Sequence, residues 1–126
     1  MSVQLNHTIV WCRDQHVSAG FLVDILGLAA PTRFGPFLVV EVANNVSLDY
    51  HETGHEIASQ HYAFLVGEDD FDAGFARLKA RGLDYWADPG LSQAEMINHH
   101  DGGRGVYFED PDGHVLEMIT RPYGSG

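Results

Sequence analysis

Cysteine is nearly absent from this 126-residue chain, with Cys12 standing alone. No intrachain disulfide can form, which argues against a small, stapled, secreted fold. Cationic side chains are also scarce: 7 Lys and Arg face 18 Asp and Glu, for a net charge of −11. A nucleic-acid binder needs Lys and Arg to replace phosphate counterions, so that class is excluded, and so is docking on anionic membrane surfaces. Long hydrophobic runs are missing too. The longest, such as residues 37–40, fall far short of the roughly 20 residues that a membrane-spanning helix requires. The first residues carry no basic stretch followed by an apolar one, so no export signal is read there. These absences describe a cytosolic domain without a nucleic-acid or membrane partner. Low-complexity segments are lacking as well, and residues 121–126 read as a flexible end. What is present is ordinary for one globular domain with a real core: 44% hydrophobic and 20% charged residues.

The chain is written twice. Shifted by 54 positions, His7 falls on His61 and Ala19-Gly20-Phe21 on Ala73-Gly74-Phe75. Shifted by 68, Glu41 falls on Glu109, Leu48 on Leu116 and Asp49 on Glu117. The difference is an insertion in the second copy, most naturally within residues 88–104. A repeat of this kind means two copies of one supersecondary unit, neither able to bury its core alone. The copies are residues 1–57 and 58–126.

Each copy reads as βαβββ. Residues 3–12, rich in Val, Ile and Trp, form a strand. A helix starts at Asp14, runs on an apolar stripe of Val17, Phe21, Leu22, Ile25 and Leu26, and stops at Gly27. Residues 37–43 and 46–50 are strands joined at Asn44-Asn45, a dipeptide suited to a tight hairpin turn. A weakly marked strand near residues 29–34 precedes them, and residues 53–60 link the copies. The second copy repeats the order: a strand at 61–66, a helix at 69–81 stopped by Gly82, a strand at 83–87, a long Gly-rich loop, then two strands around Asp110-Pro111-Asp112-Gly113. The class is α+β, two βαβββ repeats forming a curved mixed sheet around a cavity.

Strand alternation separates two faces. Val10, Cys12, Leu38, Val40, Leu48, Leu116 and Met118 make one face apolar, as helix packing requires. The other carries His7, His61, Asp49, Glu117, Glu41, Glu109 and Tyr107. Two imidazoles and two carboxylates at repeat-equivalent positions indicate a metal site. Histidine and carboxylate donors with open positions suit Fe(II), Mn(II), Ni(II) or Zn(II), and two His with one carboxylate is the facial set of non-haem iron oxygenases.

With His in "NHTIV" and "QHYAFLV" and Glu in "VYFEDPDGHVLEMI", the sequence resembles the vicinal oxygen chelate superfamily over essentially its whole length. That group includes glyoxalase I, fosfomycin-modifying enzymes, extradiol dioxygenases and bleomycin-binding resistance proteins. The resemblance implies that His7, His61 and Glu117 hold a divalent metal, with Fe(II) favoured. It also implies a small-molecule substrate gripped through two adjacent oxygens, and a homodimer whose sites are shared between chains, residues 53–60 being the segment that permits exchange.

The resemblance also ranks the chemistries. His99 or His100, then Val106-Tyr107, Asp110-Pro111-Asp112-Gly113 and Glu117, follow the extradiol pattern, in which the tyrosine assists at the substrate hydroxyl. His99 and His100 become acid/base or donor groups near the metal. Asp49 stands where a glyoxalase I carries its second acid, which keeps a lyase or isomerase reading open; here it is expected to be a neighbour of the metal or to hold water. Fosfomycin enzymes place Thr or Cys two residues after the first His, where this chain has Ile9, and their phosphonate-binding cations are not evident. Drug-sequestering relatives use an aromatic groove, for which Trp11, Tyr85 and Trp86 are candidates. Residues 88–104 are expected to form a lid.

Overall fold

The computed structural model describes residues 2–126 as two compact units, Met1–Ile57 and Ala58–Gly126. The class is α+β, with two small sheets and two long helices.

In the first unit β1 (His7–Cys12) leads into α1 (Gln15–Leu26), followed by β2 (Thr32–Phe34), β3 (Phe37–Glu41) and β4 (Ser47–Glu52). The Asp14 carboxylate accepts from the amides of His16 and Val17, at 3.0 and 3.2 Å. Such a cap is worth about 1 kcal/mol against alanine. Gly27, at φ 67°, ends the helix in the left-handed region. Phe21, Leu22 and Ile25 are buried, whereas Val17 lies on the solvent side of the stripe. The sheet order is β1-β4-β3-β2, with β1 parallel to β4 and the other pairs antiparallel. Asn45 takes a positive φ in the β3–β4 turn, so the hairpin forms at the dipeptide that predicts it. The weak strand near 29–34 is real but only three residues long.

In the second unit β5 (His61–Leu65) precedes α2 (Glu68–Ala80), a single 3₁₀ turn (His100–Gly102), β6 (Gly105–Glu109) and β7 (Val115–Ile119). The order is β5-β7-β6, with β5 parallel to β7 and β6 antiparallel. The strand expected at 83–87 shrinks to bridges at Trp86, one with Tyr107 and one with Ala94. At Asp88 the backbone turns away, because that carboxylate accepts from the Ser92 and Gln93 amides and the Ser92 hydroxyl. These bonds, the Ser92 hydroxyl first, hold Asp88 below the usual carboxylate range.

The alternation has the physical consequence expected of it. Val10, Cys12, Leu38, Val40, Leu48 and Tyr50 are buried in the first unit, as are Phe71, Leu78, Val106, Phe108, Leu116 and Met118 in the second. Fully burying a large apolar side chain contributes about 1.5–3 kcal/mol, so these positions fix which sheet face meets the helix. The opposite face is left for chemistry. No helix among the described residues is long and apolar enough to cross a membrane.

Candidate metal centre

The parallel pairing of β5 with β7 sets His61 opposite Val115 and Ala63 opposite Glu117. His61 thereby reaches two groups at once. Its Nδ1 lies 2.9 Å from the Val115 carbonyl, and its Nε2 lies 3.1 Å from Glu117 Oε1. A carbonyl can only accept, so Nδ1 carries the proton and donates it. In the neutral ring Nε2 then presents a lone pair to a carboxylate oxygen. Two acceptors 3 Å apart need a cation, which is either a second proton on the ring or a metal ion. A backbone carbonyl fixing the tautomer of a ligating histidine is the usual outer support of a metal site. The donor set therefore fits a divalent metal.

Tyr107 completes this group. Paired with Glu117 across β6 and β7, its phenol hydroxyl donates to the Glu117 carboxylate. Its ring stacks on His61, with centroids 5.8 Å apart. Burial first, and the Glu117 charge second, push the phenol well above its ordinary value, so it stays protonated and remains a donor.

Tyr107 and Glu117 open onto a cavity of about 460 Å³, within the range typical of small-molecule sites. Its lining includes Tyr107, Glu117, Asn98, His100, Arg104 and Arg121. Of the two adjacent histidines only His100 faces it. His99 precedes the 3₁₀ turn and is exposed. The segment 88–104 is stitched down rather than open: Asn98 Nδ2 donates to the Ala87 carbonyl at 2.8 Å, and the Asn98 and Gly105 backbones pair. The tail at 121–126 is likewise held, contrary to the flexible end expected. The amides of Gly124 and Gly126 donate to Asp101 Oδ2 and Oδ1, both at 3.1 Å. Arg121 and Tyr123 thus join the cavity wall. Sequence reasoning missed Arg121 because it lies two residues past the end of β7, beyond the last conspicuous motif, and only its packing on Gly103 gives it a direction.

The first unit holds the remaining candidates. His7 begins β1 and its Nδ1 lies 2.7 Å from Asn6 Oδ1. Asp49, between Ile9 and Val39 in register, accepts from the Ser47 hydroxyl at 3.0 Å. Trp11 stacks on His51 at 4.9 Å, and Phe37 meets the same imidazole edge-on. Tyr85, expected with Trp11 and Trp86 in an aromatic groove, instead packs edge-on against Phe75 in the second unit. Among the described residues no three His, Cys, Asp or Glu side chains converge as a metal-holding group.

The chain belongs to the Glyoxalase/Bleomycin resistance protein/Dioxygenase superfamily, whose family model matches residues 4–118. Two solved structures are very similar to it. Oxidase ChaP-H1 is 60% identical with a TM-score of 0.96, over 98% of this chain and 99% of that one. Oxidase ChaP-H2 is also 60% identical, with a TM-score of 0.97 over 100% and 99%. A glutathione transferase FosA from Serratia marcescens is 31% identical over 94% of this chain and 81% of its own length.

Proposed function

We propose that this protein is a divalent-metal-dependent enzyme that acts on a small substrate held through two adjacent oxygens, with oxidative, extradiol-dioxygenase-type chemistry. The observation that carries this reading is the His61–Glu117 pair, with its tautomer fixed by Val115 and with the Tyr107 hydroxyl on the same carboxylate. His61 and Glu117 hold the metal, with His7 as third ligand. When bound, such an ion acts as a Lewis acid and template for the substrate oxygens, and Fe(II) suits the facial set.

The protein's own residues supply the rest. Tyr107, kept protonated, donates a hydrogen bond at a substrate oxygen once the Glu117 carboxylate is engaged by metal. His100 offers a proton acceptor or donor on the far wall. The 88–104 segment bounds one side of the cavity through Asn98, His100 and Arg104. Likeness to two oxidases at 60% identity supports oxidation over the thiol transfer named in the 31% identical relative.

We further infer a homodimer in which His7 of one chain completes the His61–Glu117 pair of the other. Support comes from β1 and β5, which bear the two histidines and are edge strands of their own sheets. Ile9, Trp11 and Leu65 on these strands are exposed, and unpaired edges with apolar side chains favour a partner chain.

The test is oxygen uptake by protein loaded anaerobically with Fe(II) and offered a panel of catechols. Substrate-dependent uptake supports the reading. No uptake across the panel, with glyoxalase activity or fosfomycin–glutathione transfer instead, overturns the oxidative chemistry.

A further inference from the structure

We propose that Arg121 is the anion-receiving residue of the substrate cavity, so that the substrate carries a carboxylate at the end remote from its two chelating oxygens. This rests on the metal-enzyme reading above and names the substrate class of that same site.

Most of the few cations are committed elsewhere. Arg13 donates to the carbonyls of Thr53 and His55, Arg33 donates to Gln15, and Lys79 lies over the Phe75 ring. Arg77 and Arg81 are engaged as well. Arg104 faces the cavity, but its guanidinium is committed to Glu68 and Asp72 at 2.8 and 2.7 Å. Among the described arginines Arg121 alone has no hydrogen-bond or ion-pair partner, and it lines the cavity with Tyr107 and Glu117.

Its direction is built in. A Cβ added to Gly103 would come within 2.5 Å of Arg121 Cγ and 2.6 Å of Thr120 Oγ1. The glycine therefore leaves room for the arginine stem to lie on the backbone. From the other side, Asp101 holds the tail that follows Arg121 by the Gly124 and Gly126 amides. The acids of the cavity have other commitments: Asp101 accepts from those amides, and Glu117 faces His61 and the Tyr107 hydroxyl, where the metal is proposed to sit. In a chain of net charge −11 the general field repels anions, so an uncommitted guanidinium at the cavity wall is a local and selective exception. Its planar fork matches a carboxylate.

The experiment measures binding of catechol, 3,4-dihydroxybenzoate and benzoate to the metal-loaded and metal-free protein by calorimetry. It uses wild type, Arg121→Ala, Arg121→Lys and Gly103→Ala. We expect dihydroxybenzoate to bind wild type about tenfold tighter than catechol, the scale of one charge-assisted contact. That ratio falls to near one in Arg121→Ala and drops in Gly103→Ala, while Arg121→Lys keeps part of it and catechol affinity is unchanged in all. Benzoate, which has no chelating pair, binds through Arg121 with or without metal. If catechol binds in a metal-dependent way but carboxylated and plain probes stay equal, or if the ratio survives in Arg121→Ala, the Arg121 assignment is overturned and the metal reading stands. If benzoate binding depends on Arg121 while neither diol responds to metal, the assignment stands and the chelation reading falls. Absence of binding by all three probes overturns the assignment.

Discussion

His61 faces Glu117 across 3.1 Å, Nε2 to Oε1, with its other nitrogen already donating to the Val115 carbonyl. The imidazole can meet that carboxylate favourably only with a cation between them or a second proton on the ring.

Its direct consequence concerns metal content. Protein purified without chelator should carry close to one divalent metal per chain, and His61→Ala or Glu117→Gln should carry almost none. Losing only an outer hydrogen-bond partner typically costs about 10–100-fold in affinity, so loss of a ligand should exceed that. Elemental analysis after dialysis decides it, and full occupancy in His61→Ala would sink the assignment.

Tyr107 should separate binding from turnover. Its hydroxyl serves Glu117, and its ring, stacked on His61, stays in place when the oxygen is removed. Tyr107→Phe should therefore still fill with metal at saturating concentration, while kcat falls by about 10²–10⁴-fold, the usual worth of a positioned proton donor. Unchanged kcat would remove Tyr107 from the chemistry.

Asp49 discriminates between the oxidative and glyoxalase-type readings. Its carboxylate accepts from the Ser47 hydroxyl and sits half-buried in the first unit's sheet. Asp49→Asn should change activity less than tenfold and leave metal content intact if the carboxylate only holds its neighbours. Joint loss of metal and activity would instead make it a ligand and favour lyase or isomerase chemistry.

Much of this was legible before the structure, and for a physical reason. Period-two alternation in short strands decides which side chains share a face, so His61, Tyr107 and Glu117 could be grouped without coordinates. Helix ends at Asp14 and Gly27 were marked by capping chemistry that operates within a few residues. What sequence could not show depends on non-local contacts. Residues 83–87 have strand composition, but Asp88 captures three amide and hydroxyl donors and diverts the backbone, leaving only Trp86 paired. The tail looked free because its tether, Asp101, lies more than twenty residues earlier. Arg121 became visible only when the partners of the other cations were known.

Asp110 gives a stability prediction that is independent of metal. Its Oδ1 accepts from the amides of Asp112 and His114, both at 2.9 Å, while its buried Oδ2 has no hydrogen-bond partner. Burial pushes this carboxyl up, against the pull of the His114 amide and ring and of the Asp112 amide, while the Asp112 charge adds to the rise. A carboxyl raised in the folded state adds stability fully below its unfolded value near about 3.9 and loses it as pH rises through the folded value. Asp110→Asn keeps the Oδ1 acceptor and removes the charge. Relative to wild type, the variant should gain stability from pH 4 towards pH 7 in urea titrations, and a difference that stays flat would contradict the burial argument. Asp110→Ala strands two turn amides and should cost about 1–3 kcal/mol.

The shared-site dimer makes a prediction that no single-chain site can meet. His7→Ala and His61→Ala proteins should each be inactive and poor in metal. Suppose they are co-expressed, so that chains pair at random. In a mixed dimer whose sites take His7 from one chain and His61 with Glu117 from the other, one site combines both defects and the second combines both intact halves. Half of all dimers are mixed and each has one good site, so metal content and turnover should recover to about a quarter of wild type. Sites built within one chain would give no recovery, because every chain carries one broken ligand. Sedimentation at micromolar concentration should show a dimer throughout, and a monomer that still holds metal would overturn the shared site.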